Sequence, residues 1–221
     1  MSRKLVIFGS ADMAELAKYY FDNDSDYEVV AFTLDAEYLD SEIICGLPAV
    51  PFDQVVAKYS PEQHDMFIAL SYSQLNKIRK DKFTAAKEMG YTLASYISSH
   101  ATVLNDGAIG ENCFLLEDNT IQPFVRIGDN VTLWSGNHIG HHSTIGAHTF
   151  IASHVVVSGG VNVGRQCFIG VNATLRDHID VGDLSVVGAG VLMLKSCDEA
   201  SLLIGKATPP SGRKSTDLKR I

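Results

Sequence analysis

The chain has no CxxC pair, and its four cysteines, Cys45, Cys113, Cys167 and Cys197, are too scattered for a structural zinc site or a disulfide framework. They read as reduced, packed thiols. No stretch approaches the roughly 20 consecutive apolar residues that a membrane span requires, so none is expected. The opening MSRKLVIFGS carries only a short apolar run from Leu5, ending at Gly9 and followed by Asp12 and Glu15. That pattern suits a buried strand and not a signal peptide, and a cytoplasmic location is expected. Basic residues are also few, with 18 Lys and Arg against 26 Asp and Glu, a formal net charge of -8. Such a balance argues against nucleic-acid binding, which needs clustered cations to displace counterions from phosphates.

What is present is a repeat. From Val103 to Met193, every sixth position is Val, Ile, Leu or Met: Ile109, Leu115, Ile121, Ile127, Leu133, Ile139, Ile145, Ile151 and onward without a break. With 46% of the chain hydrophobic, chance would fill one such frame about four times in a million. Glycine often follows the aliphatic residue (Gly110, Gly128, Gly140, Gly146, Gly164, Gly170), and a small or β-branched residue stands four after it (Cys113, Val125, Val131, Ser143, Thr149, Val155). A period of six would carry an aliphatic stripe around a helix of 3.6 residues per turn, so the unit is a short strand plus a turn. Three units close a triangular coil of eighteen residues, and residues eighteen apart stack at the usual strand spacing. The architecture expected for residues 99–198 is therefore a left-handed parallel β-helix. Asn119 and Asn137 share an inward column, which predicts a hydrogen-bonded amide ladder. Cys113 and Cys167 share another inward column, three coils apart and too distant to bridge.

Residues 1–98 alternate strand-like and helix-like segments: KLVIFGS, ADMAELAKYYF, YEVVAFTLD, FDQVVAKY, DMFIALS, SQLNKIRKDKFTAAKEMG and YTLASYI. This order implies βαβ units and a small Rossmann-like parallel sheet of the nucleotide-binding kind. Gly9-Ser10-Ala11-Asp12-Met13-Ala14 stands where a dinucleotide-binding loop would read GxGxxG. Alanine replaces two of the three glycines, which argues against a full dinucleotide site while still permitting a tight turn into a helix N-terminus. Asp35 closes the second strand, where an acidic side chain commonly reads a ribose or base. Ser71 and Tyr72 follow the next strand, so they reach the same carboxyl edge. Residues 199–221 form a tail with five cations (Lys206, Arg213, Lys214, Lys219, Arg220) against two acids, able to meet a small polyanion or simply to be solvated.

A βαβ domain opening with LVIFGSADMAELA, followed by hexapeptide repeats containing NHIGHHSTIG, resembles the bacterial sugar N-acyltransferases of the PglD/NeuD/PerB type over nearly the whole chain. The resemblance implies transfer of the acetyl group of acetyl-CoA to an amine, often at C4, of a nucleotide-linked amino-dideoxy sugar destined for surface polysaccharide or glycan. It also implies a homotrimer with active sites between adjacent β-helices. The catalytic histidine of that family falls on His141, a base suited to removing the proton of an attacking amine. An acidic residue commonly follows it there, whereas this chain has His142. The backbone amide that meets the thioester oxygen falls on Gly159, eighteen residues on and so one coil above His141. A Gly-Pro-Ala-like element that meets CoA is altered here to Leu203-Ile204-Gly205-Lys206-Ala207-Thr208-Pro209, which makes Lys206 a candidate for the phosphates of CoA.

Other readings share some of these features. O-acetylation of a sugar such as sialic acid uses the same base. His142 and His178, two coils apart on one column, have a spacing seen in β-helical zinc carbonic anhydrases; the third histidine wanted five residues later is Asp183, and no metal is expected. A non-catalytic scaffold would give the nucleotide-type domain little purpose. His148, on the solvent side of a strand, reads as a polar surface residue.

Overall fold

In the computed structural model, which describes residues 3–217, an α/β unit leads into a long stack of two-residue strands. Lys219 and Arg220 of the basic tail lie outside the described residues.

The first unit holds β1 (Arg3–Phe8), β2 (Tyr27–Leu34), β3 (Ile43–Ile44), β4 (Leu47–Pro51) and β5 (His64–Ile68), in the sheet order β3-β4-β2-β1-β5. Helices α1 (Asp12–Asn23), α2 (Val55–Lys58) and α3 (Lys77–Glu88) accompany it. β1 lies inside the sheet between β2 and β5, and Leu5, Val6 and Ile7 are fully buried, which is why that strand reads as an unbroken apolar run. The sheet is parallel except at its edge, where β3 pairs with β4 antiparallel. Cys45 and Gly46, with φ of 48° and 78°, supply the left-handed two-residue turn that reverses the chain there. α3 starts four residues later than its amphipathic pattern suggests, because Gln74, Leu75 and Asn76 all adopt positive φ. That bend carries Asn76 into the junction with the solenoid, where its amide donates to the Cys167 carbonyl at 2.9 Å.

The solenoid is a left-handed β-helix with three sheets in which strands eighteen residues apart pair in register, as Ile121 does with Ile139 and Ile139 with Val157. Aliphatic residues and the small column point inward: Ile121, Ile139, Ile145, Val157, Val131, Ser143 and Thr149 are fully buried. The asparagine ladder is present with a different bonding pattern. The Asn119 Oδ1 accepts the Asn137 N–H at 3.2 Å and the Asn137 Oδ1 accepts the Val155 N–H at 2.8 Å, so each side chain bonds the backbone one coil above. Cys113 and Cys167 are buried free thiols, and burial pushes both up, to about 12 and about 11.

The corner residue three after each aliphatic position from Val103 to Val187 takes a left-handed conformation, for example Asn130 (φ 57°), His142 (59°), His148 (65°) and His178 (54°). This accounts for the asparagine, histidine and glycine in that column, the types that tolerate positive φ. It also overturns the surface reading of His148. Its ring folds back into the seam below α3, 8% exposed, with Nδ1 3.0 Å from Asn130 Nδ2 and the ring edge-on to Phe83.

The three faces differ. The face holding Phe114–Leu115, Thr132–Leu133 and Phe150–Ile151 is covered by the α/β unit, and its outward residues Phe114, Thr132 and Phe150 are buried. The face holding Arg126–Ile127, Thr144–Ile145, Asn162–Val163 and Asp180–Val181 shows polar groups outward. The face holding Thr120–Ile121, His138–Ile139, Val156–Val157, Thr174–Leu175 and Leu192–Met193 exposes Leu104, Val156, Leu192 and Leu194.

Candidate functional site

The carboxyl ends of β1, β2 and β5 open together into a cleft of about 780 Å³, closed on its far side by the β-helix. Gly9 makes the β1 turn possible. Its φ is 132°, and a β-carbon there would lie 2.8 Å from the Ala69 carbonyl oxygen and 3.3 Å from the Ala14 methyl. Ser10, Ala11 and Asp12 continue the loop along the cleft, and α1 begins at Asp12 with no side-chain cap on its first turn. The leading N–H groups of such a helix have no intrahelical acceptor and suit an anion. Asp35 lines the cleft from the end of β2, and Ser71 and Tyr72 from beyond β5. All seven residues expected at a nucleotide-sugar site therefore meet in one place.

Several lining groups had no signal in the sequence, because they reach the cleft from other parts of the fold. Lys82 comes across from α3 and pairs with Asp35, its ammonium lying 5.3 Å from the centre of the Phe8 ring and 5.2 Å from that of Phe52. From the solenoid come Trp134, Phe150, Ala152, Ser153 and Val171. Trp134 and Phe168 both stack on Phe150, and the Tyr72 ring packs against Phe150 and Phe168 at 5.0 and 4.8 Å. The cleft wall is thus aromatic, with Trp134, Phe150 and Tyr72 lining it and Phe168, one coil above Phe150, packed behind.

A second cluster lies on a different edge of the prism. His141 and His142 occupy the corner between the strands His138–Ile139 and Thr144–Ile145, and both are exposed. Gln122, one coil below, accepts the His141 N–H at 2.8 Å. The His141 ring lies against Gly159 one coil above: a β-carbon on Gly159 would stand 2.7 Å from both Cε1 and Nε2. The backbone bonds at this corner run from the Gly160 N–H to the His141 carbonyl and from the His178 N–H to the Gly159 carbonyl. The Gly159 N–H takes no part in them. His142 brings its Nδ1 to 3.1 Å from the His141 Nδ1 and packs its ring on Phe124 at 4.7 Å.

Within one chain these two clusters do not merge, since none of His141, His142 and Gly159 lines the cleft. Lys206 is exposed, three residues beyond the end of the last paired strand, Leu202–Leu203. The backbone packs closely there, because a β-carbon on Gly205 would meet the Ala189 carbonyl oxygen at 2.3 Å. His142 and His178 share a column with Gly160 between them, and the His178 ring folds over that glycine. Among the described residues no group of three His, Cys, Asp or Glu side chains is placed to hold a metal ion.

Residues 125–159 match the family model described as bacterial transferase hexapeptide (six repeats), and residues 160–194 that of the hexapeptide repeat of succinyl-transferase. Residues 125–194 thus carry hexapeptide repeats of the kind these two models describe. Among curated relatives with the repeat, the UDP-3-O-acylglucosamine N-acyltransferase of Cupriavidus pinatubonensis is 31% identical over 127 residues, 54% of this chain and 33% of that one. That of Herminiimonas arsenicoxydans is 28% identical over 132 residues, 58% of this chain and 36% of the relative. The match thus spans about a third of the length of each. Whole-chain likeness is found among solved structures. The acetyltransferase domain of PglB from Neisseria gonorrhoeae, in complex with acetyl coenzyme A, superposes with a TM-score of 0.82 at 21% identity, covering 93% of this hexapeptide-repeat chain and 97% of that one. PerB from Caulobacter crescentus, in complex with CoA and GDP-perosamine, gives 0.80 at 23% identity, covering 91% and 94%. At these identities the likeness establishes a shared fold, α/β unit included.

Proposed function

We propose that this protein transfers the acetyl group of acetyl-CoA to an amine, at C4 by the resemblance, of a nucleotide-linked amino sugar, with His141 as general base. The observation that carries the reading is the His141 imidazole lying against Gly159, one coil above. A base and a backbone donor are thereby held on either side of one point at an exposed corner. The amine nitrogen attacks the thioester carbonyl carbon and gives its proton to the His141 Nε2. The oxyanion that forms is held by the Gly159 N–H, and removal of such a donor costs roughly 3 kcal/mol elsewhere. Collapse expels the CoA thiolate, which takes the proton back from the imidazolium.

The three strand-end loops make a nucleotide-sugar site of the cleft. The diphosphate lies at the uncapped start of α1, with Gly9, Ser10 and Ala11 allowing close approach. Asp12 offers acceptors only, so it serves a hydroxyl or ammonium of the ligand and not the phosphates. The sugar points toward the aromatic wall of the solenoid. Because the cleft and His141 stand on different edges of one prism, a working site needs a second copy. The face exposing Leu104, Val156, Leu192 and Leu194 suits the interface of a homotrimer, and Lys206 then meets CoA phosphates at the subunit boundary. Residues 1–98 supply the nucleotide site and residues 99–198 the acyl-transfer edge. Surface-glycan synthesis, by the same resemblance, is the use of the product.

Release of thiol from acetyl-CoA, followed in the presence of UDP-, GDP- and dTDP-linked 4-amino sugars, tests the reading. Turnover with one of them, lowered about a hundredfold or more by His141→Ala, is the expected outcome. Unchanged turnover in that variant, or none with any amino sugar, overturns it. Light scattering should give three times the mass of the chain.

A further inference from the structure

We infer that the Asp35 and Lys82 pair reads the lactam edge of the nucleotide base, selecting uracil, thymine or guanine over cytosine and adenine. The inference rests on the nucleotide-sugar reading of the cleft and adds the base chemistry that reading leaves open.

Position comes first. The sheet order sets β1 between β2 and β5, so the cleft runs from the β2 end, past the start of α1, to the β5 end and the solenoid wall. A sugar beside the solenoid and a diphosphate at α1 leave the β2 end for the base, where Asp35 and Lys82 stand.

The pair is also built to present a fixed pattern. The Lys82 ammonium binds Oδ1 of Asp35 and is flanked by the Phe8 and Phe52 rings, with 22% of its side chain exposed. A lysine held on three sides has already lost most of its rotamer freedom, so it offers a donor at a set point. Oδ2 of Asp35 remains to accept. A donor beside an acceptor complements a carbonyl beside a ring N–H, the O4 and N3–H of uracil and thymine or the O6 and N1–H of guanine. Cytosine and adenine present the reverse, an amino group beside an unprotonated ring nitrogen. Against them the ammonium would face N–H donors and the carboxylate a lone pair, and neither group would gain a partner from the base.

UDP and CDP share ribose and diphosphate and differ only along this edge, as GDP and ADP differ along theirs apart from the guanine 2-amino group. Calorimetric titration with all four is the test. The expected result is a preference of about tenfold or more for UDP over CDP, for GDP over ADP, or for both. In Lys82→Met the preference shrinks to within about threefold, chiefly through weaker binding of the lactam member, while Lys82→Arg retains it. Equal binding within both pairs by the wild-type protein overturns the inference, and needs no variant to fold. So does an equal loss for both members of a pair in Lys82→Met, which would make Lys82 a phosphate ligand. Binding without preference strikes this inference alone, whereas no binding by any of the four removes the nucleotide reading of the cleft as well.

Discussion

The Nδ1 of His141 lies 3.1 Å from the Nδ1 of His142. Two imidazoles meeting through the same kind of nitrogen must divide their hydrogens, one ring donating and the other accepting. If the His141 Nε2 beside Gly159 is to accept a proton from an amine, its hydrogen must sit on Nδ1 and be given to His142. His142 then carries its own hydrogen on Nε2, and its ring is held by Phe124. On the proposed reading, His142 stands where the resembling family commonly has an acidic residue and would hold the His141 tautomer by accepting from its Nδ1. His142→Phe should keep the base and lose the acceptor, lowering kcat about tenfold or more with KM for acetyl-CoA little changed. His142→Glu, which restores an acceptor, should recover most of the loss. A purely structural role for His142 would leave both variants alike, and steady-state kinetics with matched melting curves separates the cases.

Gly159→Ala tests the other half of the corner. The φ of Gly159 does not require glycine, but a methyl there would stand 2.7 Å from the His141 Cε1 and Nε2. The imidazole must swing away from the oxyanion position. We expect a fall in kcat of about a hundredfold with a melting temperature within a few degrees of wild type. Gly160→Ala, at the next residue along the backbone, behaves differently. That residue has φ of 67° and its β-carbon would strike the His178 ring, so stability should drop while the His141 corner is spared. A melting curve beside a rate assay checks both.

The rhythm of the solenoid was legible because burial imposes it residue by residue. Every inward position from Ile121 to Met193 must be apolar or satisfied internally, and the spacing alone placed His141 beneath Gly159. The carboxyl-edge residues Gly9, Asp35, Ser71 and Tyr72 were legible for a similar reason, since strand ends in a parallel sheet converge by topology. Lys82 and Trp134 were not. Lys82 sits on a helix face crowded with other cations, and only the packing of α3 singles it out. Trp134 lies on an outward solenoid position that becomes a cleft wall only once the α/β unit docks. His148 was misread because its corner conformation turns the ring inward, something the six-residue period does not report.

Docking itself turns on Arg79. Its guanidinium is 1% exposed and has no carboxylate partner among the described residues. It donates to the Asn130 carbonyl and, at 3.0 to 3.2 Å, to Asn130 Oδ1, Thr132 Oγ1, Asn76 Oδ1 and the His148 carbonyl. Burial pulls its pKa down to about 10. A planar fork with several donors is what lets one side chain satisfy acceptors from two successive coils and from Asn76. Arg79→Ala leaves those acceptors and a cavity behind, and should cost about 3 kcal/mol or more. Arg79→Met, which fills the space and removes a buried charge, should cost less than alanine. Arg79→Lys lacks the fork and should not restore wild-type stability. Chemical denaturation of the three variants checks the order.

His148 makes the same seam sensitive to acid. Burial, followed by the nearby Arg79, Lys80 and Arg165 charges, lowers its pKa from 6.5 to about 4. A histidine depressed in the folded state binds its proton more readily when unfolded, so this residue adds nothing to the pH dependence above about 6.5. As pH falls from there toward about 4 the unfolded chain gains the proton first. Stability then drops by up to about 1.4 kcal/mol for each pH unit from this group alone. Below about 4 both states are protonated and the loss levels off. His148→Asn keeps a side chain able to bond Asn130 and to tolerate positive φ, but it cannot titrate. Urea unfolding at pH 7.5 and pH 5 should show a smaller difference for His148→Asn than for the wild-type chain. Equal differences would mean that the ring is free to take up a proton in the folded protein.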